Sequence, residues 1–370
     1  MAVLASALYS YLALATSESS APTEALHTRH YFYVGGEYVN IPGGHAFQNQ
    51  MYVEKLTPQH GSSKPYPIVF VHGGDQTGTN FLNKPDGGRG WASWFLDRGY
   101  EVYIVDRTLT ARSAYQPSSN LSLGIFSVEF ISQRFTAVQN YPLWPQAKLH
   151  TQWPGTGEMG DPIFDNYYAS NVQAVSDTIA QETTMKAAGE ALLDKIGPAV
   201  VITHSQGGLY GWQWADNRPE LVKALIQIEP KGPPFQEVIF SSAFDRPYGL
   251  TSIPLQYDPM PTNTSVPFET VVVPAPVNDS SLYPCLIQKE PASKLPNLAK
   301  VPILIETGEA SYHATYDYCV IEFLKQAGVN AQHLELGKVG IHGNAHLQFM
   351  EKNSDDIAAV LHNWIVKTVK

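Results

Sequence analysis

Ser205 sits in the run Ala199-Val200-Val201-Ile202-Thr203-His204-Ser205-Gln206-Gly207-Gly208. Four apolar residues lead towards it, and Leu209 to Ala215 beyond the glycines read as a helix. A buried strand that runs into a serine and then a helix turns sharply there. Such a turn holds the hydroxyl over the strand ends and leaves the next backbone N–H free for an oxyanion. A serine hydroxyl needs a base, usually histidine, and the histidine needs a carboxylate to orient it. The competing reading is a serine that merely caps a helix. The order of strand, serine and glycines favours a nucleophile, although Thr203 stands where Gly-x-Ser-x-Gly has glycine.

For the base the chain offers His346, in Gly343-Asn344-Ala345-His346, between the last strand and the last helix. His342 is second and His313 weaker. The acid has three candidates. Glu229 ends the strand after the elbow unit and is preferred; Glu309 and Glu306, at the end of the following strand, are the alternatives. Oxyanion donors are expected from the N–H groups of Gln206 and Gly74, since glycine lets backbone approach a substrate. Two other chemistries are rejected. Gly73 to Gly78 lacks the lysine of a phosphate-binding loop. His342 and His346 have metal-ligand spacing but lack the glutamate between them, and Gly343-Asn344 opposes a helix. No metal and no cofactor are expected.

These residues must be carried by a layered α/β scaffold. Ile68–Val71, Tyr100–Val105, Ala199–Ile202, Val222–Ile228, Val301–Ile305 and Gln332–Leu336 read as strands. Helices are expected at Trp91–Asp97, from about Asn171 to Ile196, after Ser205, at Tyr316–Ala327, and at the C-terminus on a face of Ile357, Val360, Leu361 and Trp364. That alternation predicts a mostly parallel central sheet with helices on both faces, with ligands beyond the carboxyl ends of the strands. His30–Val34 and Glu37–Val39 around Gly35-Gly36 read as a hairpin, and Gln50–Leu56 as another strand. Residues 108–172 and 231–299, rich in Pro, Gly, Ser and aromatics, read as cap insertions over the site.

Composition bounds the rest. The chain has 370 residues, 44% hydrophobic and only 16% charged, with 20 Tyr and a net charge of -10. That is a globular protein without a basic footprint for nucleic acid. Residues 1–21 have the apolar core and small-residue end of a signal peptide, cleaved between about Ala15 and Ala21, although a basic n-region is missing. This leaves 22–370 as a single domain. Sequons at Asn120, Asn263 and Asn278 fit a secreted glycoprotein. No later stretch is apolar for long enough to span a membrane. Cys285 and Cys319 can form one bridge or remain two buried thiols. The oligomeric state is not readable.

Several linked segments carry a resemblance. They are Val69-Phe70-Val71-His72-Gly73-Gly74, Thr203-His204-Ser205-Gln206-Gly207-Gly208, Ile228 to Phe235, Tyr248 to Leu255, Thr307 to His313, and Gly343-Asn344-Ala345-His346 with Glu351-Lys352-Asn353. Together they resemble the α/β-hydrolase superfamily, and within it the branch of the bacterial secreted esterase 713, from about Phe32 to the C-terminus. The resemblance implies hydrolysis of a small-molecule carboxylic ester by a Ser205-His346-Glu229 triad, because this branch takes its acid after the sixth strand. Where that branch has adjacent cysteines in its oxyanion loop, this chain has Gly74-Asp75. A lactone or specialised-metabolite ester is the alternative substrate. A non-catalytic binding protein on the same scaffold is less favoured, since serine, histidine and acid are all present.

Overall fold

The structure is a computed structural model that describes residues 24–275 and 279–369. The expected leader and the sequon at Asn278 lie outside the described residues.

Among the described residues, eight strands form one sheet: β1 (His27–Ile41), β2 (Gly44–Pro58), β3 (Ile68–Val71), β4 (Val102–Asp106), β5 (Ala199–His204), β6 (Val222–Ile228), β7 (Ile303–Thr307) and β8 (Ala331–Glu335). Their order is β1-β2-β4-β3-β5-β6-β7-β8. The β1–β2 and β2–β4 pairs are antiparallel, and the remaining pairs are parallel. This is the mostly parallel α/β sheet that the alternating pattern predicts.

Every residue of β3, β4 and β5 is buried, which is why these strands are apolar without alternation. Alternate side chains divide between two cores. Val69, Val71, Val201 and Leu225 pack with the helices α3 (Thr178–Ile196), α4 (Gly207–Asn217) and α5 (Asp317–Gln326). Ile68, Phe70, Val200 and Ile202 pack on the other face with α1 (Trp91–Leu96) and α6 (Ser354–Thr368). In α6, Ile357 and Leu361 are buried as expected, whereas Val360 and Trp364 are half-buried at its edge.

Two local readings change. Gly35-Gly36 is no hairpin turn: both glycines lie inside the continuous β1, with φ of 65° and 81°. The partner strand kinks with it at Asn49, φ 67°, so the ladder bends and resumes at Glu37↔Gln48. Gly35 also allows close approach of α3, since a Cβ there would lie 3.0 Å from the Ala188 Cα. Helix α3 starts at Thr178 rather than near Asn171, because Asp177 accepts the Ala180 N–H and caps it.

The segment 108–172 contains α2 (Pro162–Ala169) and a short helix, Val128–Ile131, that continues into a π-helical turn, Ser132–Thr136. The segment 231–299 carries a two-stranded antiparallel ribbon, Thr270–Val273 with Cys285–Gln288. Cys285 is bonded to Cys319, S–S 2.05 Å, which ties this ribbon to α5. Asn120 and Asn263 are both exposed.

Candidate active site

Ser205 follows β5 directly and has φ 54°. This left-handed backbone is rare for a non-glycine residue and is the strain that a nucleophile turn stores. The sheet ladder runs on past the strand to hold it, with Ser205 N donating to Ile228 O at 3.0 Å and Lys231 N donating to Ser205 O at 2.9 Å. Thr203 fits where the common pattern has glycine because space is supplied elsewhere. A Cβ on Gly211 of α4 would lie 2.9 Å from the Thr203 methyl. The Thr203 hydroxyl donates to Gln227.

His346 leaves the loop before α6 and is 1% exposed. Its Nδ1 lies 2.6 Å from Glu229 Oε2. Glu229 is itself fully buried, with φ 45°. Its carboxylate also accepts from Gly308 N at 2.7 Å and from Ser311 Oγ at 2.7 Å. Burial pushes the Glu229 carboxyl well above the ordinary value, and Glu306 and Asp317 add to this; the Ser311 and Gly308 donors pull against it. Burial holds the His346 imidazole well below its ordinary value, with His204 and His313 contributing. The Nε2 atom of His346 lies 3.3 Å from the Tyr312 hydroxyl. That phenol is pushed well above its ordinary value by burial, so it remains a donor.

Residues outside the expected set position this histidine. His204 Nε2–H donates to the His346 carbonyl at 2.9 Å, and burial lowers its pKa to about 3; it is a neutral tether. Glu351 accepts from Asn344 Nδ2 (2.7 Å), Ala345 N (3.1 Å) and His150 Nε2 (2.8 Å). His72 Nδ1–H donates to Gly73 O at 2.9 Å, while its Nε2 accepts from Arg107 N at 3.1 Å, pinning the loop that carries Gly74. The adjacency of Glu351 to the His346 loop was a usable signal; the long-range contacts of His204 gave none.

The other candidates fall elsewhere. Glu309 accepts from His342 Nδ1 and from Gly343 N, both at 2.9 Å, so the second-choice acid and base hold each other. Glu306 is fully buried, and burial together with Asp317 pushes it well above its ordinary value. His313 pairs with Asp317 at 2.8 Å and with the Tyr316 hydroxyl at 3.1 Å. Glu229, His313 and His346 lie close enough to suggest a metal centre. The two imidazoles are stacked 5.0 Å apart and only 5° from parallel, so their in-plane lone pairs do not converge on one ion.

Ser205, His346, Gly74 and Gln206 all face one cavity of about 350 Å³. Phe126, Phe135 and Tyr312 form much of its wall. Gln206 stands at the N-cap position of α4, and its Oε1 accepts from Arg107 Nη1 at 2.6 Å. At the position of the branch's cysteine pair, Asp75 has φ 53° and accepts from Phe126 N, while its carbonyl accepts from Val172 N at 2.9 Å. Asp75 thus anchors the 108–172 segment over the site.

The model of the alpha/beta hydrolase family matches residues 68–360. The chain belongs to that family. A fungal protein named "probable secreted lipase phiG", from Fungal sp. (strain ATCC 74256), is 46% identical over 337 residues, covering 91% of this chain and 89% of that protein. The structure of a novel bacterial esterase superposes with a TM-score of 0.62 at 21% identity, covering 95% of this chain and 98% of the other, and supports the fold. Among the described residues no helix is long and apolar enough to cross a membrane.

Proposed function

We propose that this alpha/beta hydrolase is a serine esterase that cleaves carboxylic esters through an acyl-enzyme on Ser205. The observation that carries this reading is that His346 lines the cavity that Ser205 enters, with the buried Glu229 behind it at 2.6 Å from its Nδ1. The Ser205 hydroxyl attacks the ester carbonyl and His346 Nε2 takes its proton, exchanging the Tyr312 hydroxyl for that of Ser205. Glu229 holds the Nδ1–H tautomer and stabilises the imidazolium. The N–H groups of Gln206, at the start of α4, and of Gly74 receive the oxyanion. Collapse of the tetrahedral intermediate expels the alcohol with the proton from His346. Water, activated by the same histidine, then releases the acid.

The 46% identical relative supports a lipase or esterase, and its name supports secretion. The leader at 1–21 and the bonded Cys285–Cys319 agree with an exported chain, processed to a domain over 22–370. The 108–172 and 231–299 segments, whose residues Phe126 and Phe240 both line the cavity, act as its cap.

A fluorophosphonate probe and a panel of p-nitrophenyl esters and lactones test this. Ser205 should carry the label, and Ser205→Ala should lose labelling and ester turnover while staying folded. Turnover retained by Ser205→Ala would overturn the assignment.

A further inference from the structure

Arg134 lies in the cavity wall, on the π-helical turn Ser132–Thr136. Its guanidinium is sandwiched between two rings, 3.7 Å from the Phe130 centroid and 3.9 Å from that of Phe240. Stacking covers the two faces and leaves the N–H groups pointing outward in the plane. Among the described residues no ion pair involves it, and its Nε is buried with no hydrogen-bond partner. The other cation facing the cavity, Lys231, is already held by Asp245 at 3.0 Å and Glu237 at 3.5 Å. Glu237 is further engaged by Arg246 at 2.7 Å.

A buried Nε without a partner costs free energy, and among the described residues no protein carboxylate pairs with the rest of this half-buried guanidinium. It is also close to the chemistry: Phe240 packs on Tyr312 at 5.3 Å between centroids, and Tyr312 on His346 at 5.0 Å. The net charge of -10 gives no general attraction for anions, so any preference for one must be local.

We infer that Arg134 recognises a carboxylate on the substrate, so that the enzyme acts preferentially on esters bearing a second, ionised acid group a few carbons from the scissile bond. The inference rests on the esterase reading. A planar guanidinium fixed by stacking presents paired donors to a carboxylate with little ordering cost. The aromatic part of the remaining wall, Phe126, Phe135, Tyr312 and Tyr316, would hold the carbon chain between the carboxylate and the ester.

The test compares monoethyl adipate with ethyl hexanoate, and extends to the half esters of succinic, glutaric and suberic acids. Their kcat/KM values are measured with the wild type, Arg134→Gln and Arg134→Lys. The wild type should favour one half-ester length over its neutral counterpart by about tenfold or more, and Arg134→Gln should reduce that ratio by about 10- to 100-fold. Arg134→Lys, which keeps charge but not the stacked plane, should fall between. If Arg134 only clamps Phe130 to Phe240, both ester types will decline together and the ratio will not move, which overturns the inference. A wild-type ratio near one overturns it as well. Calorimetric binding of monoethyl adipate to Ser205→Ala, with and without Arg134→Gln, separates the two readings. Arg134-dependent binding without any ester turnover in the wild type would sink the esterase reading and leave the carboxylate site standing. Turnover of neutral esters without Arg134-dependent binding would do the reverse.

Discussion

His346 and His342 stand on one loop, and each holds a glutamate at hydrogen-bonding distance. His346 meets Glu229 at 2.6 Å with side chains 1% and 0% exposed; His342 meets Glu309 at 2.9 Å with side chains 62% and 25% exposed. The residue types and contact lengths are nearly the same, so neither separates a proton-transfer pair from a loop clamp. The two pairs differ in strand position and access to water. Glu229 follows β6, next to β5 and its serine, and its second oxygen accepts from Gly308 N. Glu309 follows β7, one strand further out, and uses its second oxygen on the Gly343 amide of the loop itself. An exposed ion pair contributes little energy. A buried, oriented one can set a tautomer and stabilise an imidazolium.

The two histidines give the sharpest break. His346→Ala should lower kcat for ester hydrolysis by roughly 10⁴- to 10⁶-fold, whereas His342→Ala should stay within about threefold. Comparable losses would mean that the exposed pair also takes part in catalysis.

The acids give the next largest contrast. Glu229→Gln keeps size but presents N–H or loses charge towards His346 Nδ1, and kcat should drop about 10⁴-fold. Glu309→Gln should cost at most about tenfold, through a looser loop around Gly343 and His342. Glu306 lies beside β6, at Ile228 in register. Burial and Asp317 favour its neutral form. Gln closely copies a protonated glutamate, so Glu306→Gln should retain most activity and change stability by about 1 kcal/mol or less. Steady-state kinetics with circular dichroism on all three variants decides the order. A dead, folded Glu309→Gln beside a near-normal Glu229→Gln would move the acid to the next strand end.

Much of the sheet is legible in the sequence. Apolar runs located β3 to β7 to within a few residues, because strands covered on both faces must be continuously apolar. Ser205, Glu229 and His346 can be singled out as candidates because strand ends and chain order restrict where such groups can stand. Other features depend on partners far along the chain. His204 reads as filler beside Ser205, yet its partner is the His346 carbonyl, 142 positions away. Thr203 looks like a defect in the motif until Gly211 is seen against its methyl group. Gly35-Gly36 forms a bend and not the expected turn, because two glycines license either and Asn49 on the opposite strand shares the left-handed kink. Arg134 lies in an aperiodic stretch, and only the packing of Phe130 and Phe240 shows where its guanidinium is held.

Glu182 supplies the smallest but cleanest refinement, because it keeps the buried carboxylate and removes the histidine. It lies fully buried on α3 and accepts from Ser252 N at 3.0 Å on both oxygens and from Ile253 N at 3.2 Å. These bonds fasten the 231–299 segment to the helix, yet burial still raises its pKa from 4.5 to about 7. The sign follows from linkage. The folded state binds this proton more tightly than the unfolded chain, so stability declines as pH rises from about 4.5 to about 7 and is level above that. The contribution is at most about 3 kcal/mol over that window. Glu182→Gln removes the titration and leaves an oxygen to accept the Ser252 and Ile253 amides. The slope of the Tm against pH between 4.5 and 7 should therefore shrink in this variant. Its kcat should remain near that of the wild type, since no reacting group touches residue 182. An unchanged slope would show that a buried carboxylate with backbone donors alone is already ionised in the folded protein. The upward displacement of Glu229, which has a backbone donor of the same kind, would then have to come from Glu306 and Asp317 rather than from burial.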